Sequence, residues 1–212
     1  MKLTIKPIDA KKLDALLNRN REAAKKALKA TISDVRKGVP GKVADEVSSV
    51  YNINKGQVMP KKGKPRKGRA AGSIRIKGET LEDLNVVYTG HKLSPARFGM
   101  TPKKPPKVKY RKGKRIARPV KAQILKGHKT TIHSEAFIGK TGTYGTDADG
   151  NAKYDYIPFK RKGKKRYPIE AIKTVSLPGM VGSPRVRPNI NKNVQALIKS
   201  NLERNIRRFF QK

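Results

Sequence analysis

The chain has 212 residues, with 52 Lys or Arg against 15 Asp or Glu, a formal net charge of +37. Only 35 % of its residues are hydrophobic, so it can build one elaborated core or two small ones, and much of it must lie on surfaces or extensions. The absence of cysteine excludes disulfides and Cys-based zinc sites, and no run of about eighteen apolar residues is present to span a membrane.

The opening residues Met1-Lys-Leu-Thr-Ile-Lys-Pro hold no apolar run long enough for a signal peptide, so a soluble protein is expected. Leu3, Ile5 and Pro7 predict a short leading strand with alternating sides. Asp9 suits the N-cap of a long helix ending at Gly38. In that helix Leu13, Leu16, Leu17, Ala24, Ala27, Leu28, Ile32 and Val35 fall at three- and four-residue spacing and predict a buried stripe. The same stripe would also serve as a partner face in a ring. Val39-Pro40-Gly41 is expected to break the helix, and a shorter one then carries Val43, Val47 and Val50 to Tyr51.

Residues 55–69 turn to Pro, Gly, Lys and Arg, from which no packed core can be built, so a loop or arm is expected. Strands are predicted at 73–77, with Ile74 and Ile76 on one side, and at 84–89. A second basic Pro/Gly block over 101–115 interrupts the sheet. Further strands are expected over 120–125, 134–140 and 154–161. Pro188 precedes a last helix whose stripe is Val194, Leu197, Ile198, Leu202, Ile206 and Phe209. The expected class is α+β: a twisted antiparallel sheet flanked by a long N-terminal and a C-terminal helix, with basic Gly/Pro-rich loops or arms.

The charge is concentrated in three blocks. The first is Lys61, Lys62, Lys64, Arg66, Lys67 and Arg69; the second is Lys103, Lys104, Lys107, Lys109, Arg111, Lys112, Lys114 and Arg115. The third is Lys160, Arg161, Lys162, Lys164, Lys165 and Arg166. Cations packed into segments too polar to fold alone bind a phosphate backbone by counterion release without reading bases. A solvated tail, or a surface pairing with acidic protein neighbours, has the same composition. Aromatic interleaving is thin, with Tyr110 in the second block and Tyr167 just after the third. Non-specific contact with duplex DNA therefore fits better than base stacking.

No catalytic or cofactor chemistry is expected. Gly139-Lys140-Thr141 resembles the end of a phosphate loop, but the glycine required five residues earlier is Ser134. Asp147-Ala-Asp149-Gly150-Asn151 imitates the start of a calcium loop whose twelfth position would be Pro158 instead of glutamate. Asp149-Gly150 more simply makes a hairpin turn. His91, His128 and His133 stand in no metal-ligand spacing, and the last two lie around an expected turn. No nucleophile with an oriented base, and no carboxylate pair for acid/base work, can be assembled.

The segment over 134–184 has a distinctive order. Ser134-Glu-Ala-Phe-Ile-Gly-Lys leads to a polar turn and to Tyr154-Asp-Tyr-Ile-Pro-Phe-Lys-Arg-Lys-Gly-Lys-Lys-Arg. Tyr167-Pro-Ile-Glu-Ala-Ile-Lys-Thr-Val-Ser-Leu-Pro-Gly-Met follows. This order resembles the phage minor tail protein Z (tail completion) family of long-tailed bacteriophages, best over the final third of the chain. In that family an Ala-Phe strand precedes an aromatic strand ending in Arg/Lys-Gly-Lys, a Pro-Ile helical turn, a Pro-containing loop and a final helix. The resemblance implies a single tail-completion-like domain over 1–212, with basic insertions at about 55–72 and 101–118.

It also implies a structural virion protein at the head-proximal end of the tail, readying it for joining to the head. Its partners would be copies of itself in a ring, commonly hexameric, and the terminator, tail tube and tape-measure proteins. Packaged double-stranded DNA would be bound non-specifically, with no membrane partner and no cofactor. Carried onto this chain, Ala136-Phe137-Ile138, the strand 156–159 and Tyr167-Pro168-Ile169 would be sheet core and turn. The loop Leu177, Pro178, Gly179 and Met180 would be a subunit contact. Location would be the virion, and host cytoplasm during assembly. The alternative is a ribosomal or other ribonucleoprotein component, since small α+β cores with basic extensions suit structured RNA.

Overall fold

The computed structural model describes residues 2–4, 20–59, 72–80, 83–106, 110–111, 114–115, 119–142, 145–146, 152–153 and 155–210. The protein is α+β. Two compact units divide it: Met1–Val50, Asn54–His91 and Leu177–Lys212 form the first, and Tyr51–Ile53 with Lys92–Ser176 form the second.

The first unit is built on helix α1 (Arg21–Val50). Asn20 caps it, its side-chain oxygen accepting from the Ala23 N–H at 3.1 Å. The expected cap Asp9 and the stripe positions Leu13, Leu16 and Leu17 lie outside the described residues. The break expected at Val39-Pro40-Gly41 does not occur, and one helix carries both predicted ones. Pro40 removes a backbone donor at a cost of about 3 kcal/mol. Against this, Val35, Val39, Val43 and Val47 recur every fourth residue and are fully buried. Each contributes roughly 1.5–3 kcal/mol, so packing wins over local propensity.

Helix α4 (Arg187–Phe210) runs antiparallel to α1. Asn193 donates to Glu46 at 2.7 Å near one end, and Asn205 donates to Thr31 at 3.2 Å near the other. Between them the helices approach so closely that a Cβ on Gly38 would lie 2.9 Å from Leu197 Cδ2. Pro188 falls inside the first turn, where a missing N–H breaks no helical bond. The predicted stripe holds at Val194 and Ile198 and then drifts. Asn201 and Asn205 occupy the buried positions, while Leu202, Ile206 and Phe209 are half-buried.

Strands β1 (Lys2–Thr4), β2 (Ser73–Lys77) and β3 (Asn85–Thr89) form an antiparallel sheet in the order β1-β3-β2. Its register sets Ile74 opposite Tyr88 and Ile76 opposite Val86. Val86 and Tyr88 alternate inward from the central strand and are buried with Leu84. A one-turn helix α2 (Lys55–Val58) opens what was expected to be a loop, because Asn54 caps it and Val58 is buried. The loop expected at 177–180 is likewise helical, as α3 (Leu177–Gly182). Leu177, Met180 and Val181 are completely buried there.

The second unit contains several small antiparallel sheets in place of one continuous sheet. Strand β4 (Tyr110–Arg111) pairs with β5 (Lys114–Arg115), so part of the expected second arm is a hairpin. Strand β6 (Val120–Leu125) pairs with β7 (His128–His133), a strand the sequence did not announce. His128 and His133 are the ends of that strand. Strand β8 (Phe137–Lys140) precedes the pair β9 (Gly145–Thr146) and β10 (Ala152–Lys153). The turn expected at 147–151 lies between these two strands and outside the described residues. Strands β11 (Tyr156–Arg161) and β12 (Ile169–Ala171) complete a sheet in the order β12-β11-β8. Met100, Val120 and Ile138 pack together here, flanked by Ile132, Ala136 and Tyr156.

Candidate nucleic-acid interface

The third basic block is the one whose side chains are described throughout. It lies at the turn end of the β11–β12 hairpin, where Lys160 faces Glu170 and Arg161 faces Ile169 across the ladder. A backbone bond from Lys162 N–H to the Pro168 carbonyl at 3.1 Å closes the connection. Residues 161–170 are exposed without interruption. A Cβ added at Gly163 would stand in open space.

The base of the hairpin is assembled from aromatic contacts. Gly139 on β8 leaves room for Phe159, whose ring atoms would lie 2.9 Å from any Cβ added there. Phe159 stacks with Phe137 at 6.1 Å between centroids and 27° between planes. The Arg161 guanidinium lies 5.6 Å from the Phe137 centroid, and that of Arg166 lies 5.7 Å from the Tyr167 centroid. Two arginines are thus held against ring faces by the ring quadrupole. Against six cations in Lys160, Arg161, Lys162, Lys164, Lys165 and Arg166, the carboxylate at hand is Glu170, 3.9 Å from Lys160. Both partners are largely exposed, so this pair contributes little. The net field at the tip favours an anion.

The expected turn at Tyr167-Pro168-Ile169 differs in detail. The Tyr167–Pro168 peptide is cis, and Ile169 begins an edge strand in place of a helical turn. Tyr167 and Ile169, expected as core and turn, are 64 % and 38 % exposed. Ile169 stands on the outermost strand in the order of this sheet, and Tyr167 precedes that strand.

The other predicted cations are placed unevenly. Lys103 and Lys104 are exposed in the bend after Thr101. Arg111, Lys114 and Arg115 lie in the β4–β5 hairpin. Lys61, Lys62, Lys64, Arg66, Lys67, Arg69, Lys107, Lys109 and Lys112 lie outside the described residues. Of the expected subunit contact, Leu177 and Met180 are spent on the interior of the first unit, which leaves Gly179 exposed and Pro178 half-buried.

Among the described residues no three His, Asp or Glu side chains come together as metal ligands. No described helix is long and apolar enough to cross a membrane. Comparison with known protein families, with curated proteins and with solved structures finds no match to this chain.

Proposed function

We propose that this chain is a structural protein of a bacteriophage virion, acting at the head-proximal end of the tail and completing it for head joining. In this reading its copies assemble as a ring with the terminator, tube and tape-measure proteins as neighbours. Its basic segments hold the end of the packaged duplex electrostatically. Two things support the reading: the order of parts over 134–184, which resembles the minor tail protein Z family, and the cationic tip of the β11–β12 hairpin.

The tip is the observation that carries nucleic-acid contact. A chain of +37 repels itself, and an exposed cluster of cations is relieved most effectively by a polyanion. Titrating duplex DNA at several salt concentrations tests that contact. A steep fall of log K with log salt is expected, near 0.9 per phosphate neutralised; a flat line would remove the electrostatic half of the reading. Disrupting the gene in its phage tests the other half. The expected result is filled heads beside unjoined tails in electron micrographs, and intact virions would overturn it.

A further inference from the structure

The large apolar side chains left exposed among the described residues belong to Met59, Tyr167 and Ile169. Two of these three stand on the β11–β12 hairpin that also carries the six cations of the third block. Scattered exposed apolar residues are ordinary, but an aromatic ring at 64 % exposure inside a cationic tip is chemically specific. The ring is also held in place. Arg166 leans on it at 5.7 Å, and the Lys162-to-Pro168 hydrogen bond ties together the backbone on either side.

From this juxtaposition we infer that the hairpin tip is a single-strand DNA site. Tyr167 stacks on an unpaired base while Lys162, Lys164, Lys165 and Arg166 neutralise the flanking phosphates. Composition alone favours a duplex, since it shows one tyrosine beside the block. The exposure of that tyrosine reverses the preference. Within a duplex the base faces are already stacked on one another and only a terminal pair offers one to a ring, whereas every unpaired base presents a π-face. Ile169, opposite Arg161 in the ladder, is a second exposed apolar side chain two residues further on. The inference deepens the proposed function and rests on its phosphate contact.

The test uses the full chain and fluorescence anisotropy with a labelled oligothymidylate and a blunt duplex of the same length, each over a range of salt. Tyr167→Ala should weaken oligothymidylate binding by about 5- to 150-fold, the range set by loss of one base–aromatic stack. It should change duplex binding less than about twofold and leave both salt slopes unaltered. Tyr167→Phe should bind like the wild type. Replacing Lys162, Lys164 and Lys165 together with Gln should lower the slope on both ligands by about one per lysine.

Equal loss on the two ligands, or no loss on either, overturns the stacking site. Phosphate contact survives that failure if the slopes stay steep and respond to the lysines, and flat slopes would instead sink the underlying reading. A Tyr167→Ala protein that changes its sedimentation while binding oligothymidylate normally would assign the ring to a protein contact and also overturn the inference. Because the ring is exposed, an unchanged unfolding temperature is expected for both tyrosine variants.

Discussion

Asn205 of α4 donates its side-chain amide to the Asp34 carboxylate of α1 at 3.1 Å, and Arg204 reaches the same oxygen at 2.7 Å. The amide, opposed by burial and assisted by Arg204, holds the Asp34 carboxyl below its ordinary value of 3.8. A depressed carboxylate stabilises the fold fully above its unfolded value, and that stabilisation disappears as pH falls through the folded one. Asp34→Asn should therefore cost about 1 kcal/mol at neutral pH. In urea unfolding followed through the acid range, mutant and wild type should converge below pH 3.8. A gap that stays constant with pH would refute this.

Pro40, in contrast, is a site where stability can be gained. Replacing it with Ala supplies an N–H to the α1 ladder and relieves the ring's clash one turn back, worth about 3 kcal/mol. The unfolded chain gains freedom worth about 0.4–1 kcal/mol in opposition. Pro40→Ala should thus raise the urea midpoint by the equivalent of about 2 kcal/mol with an unchanged m-value.

Met180 and Gly179 separate core from surface within α3. Met180 is completely buried, so Met180→Ala should cost about 2–5 kcal/mol. Gly179 is exposed, and Gly179→Ala should stay within about 0.5 kcal/mol. Sedimentation of the Gly179 variant with tail tubes then reports on subunit contact without a folding defect to confuse it.

Gly139 should tolerate no side chain. A Cβ there meets the Phe159 ring at 2.9 Å, and Gly139→Val should lower stability by about 1–3 kcal/mol through overpacking. The displaced ring also supports Phe137 and, through it, Arg161. Thermal unfolding measures the first effect, and a reduced duplex affinity at unchanged salt slope the second.

What could be read from the sequence divides along physical lines. The cationic tip was legible because charge needs no fold to declare itself. Ile198 and Val194 were legible because four-residue apolar spacing has one common explanation. Asn201 and Asn205 were not, since Asn205 is buried by virtue of a partner 171 positions away. Pro40 predicts a break by local propensity, and the burial of Val35, Val39, Val43 and Val47 across it outweighs that propensity. Strand β7 escaped because its residues are almost all exposed, leaving no alternation to detect. The family resemblance assigns Tyr167-Pro168-Ile169 to the sheet core and turn, but Tyr167 is exposed.

The partnership of α1 with α4 has a consequence for biosynthesis. Thr31 and Asn205 meet across 174 positions, and the entire second unit is translated between the two helices. A nascent chain therefore carries Val35, Val39, Val43 and Val47 without their helical cover until α4 leaves the ribosome. Such distant closure is entropically slow and leaves a greasy helix open to aggregation meanwhile. A demand on chaperones during synthesis is the expected consequence of the order in which this fold is written.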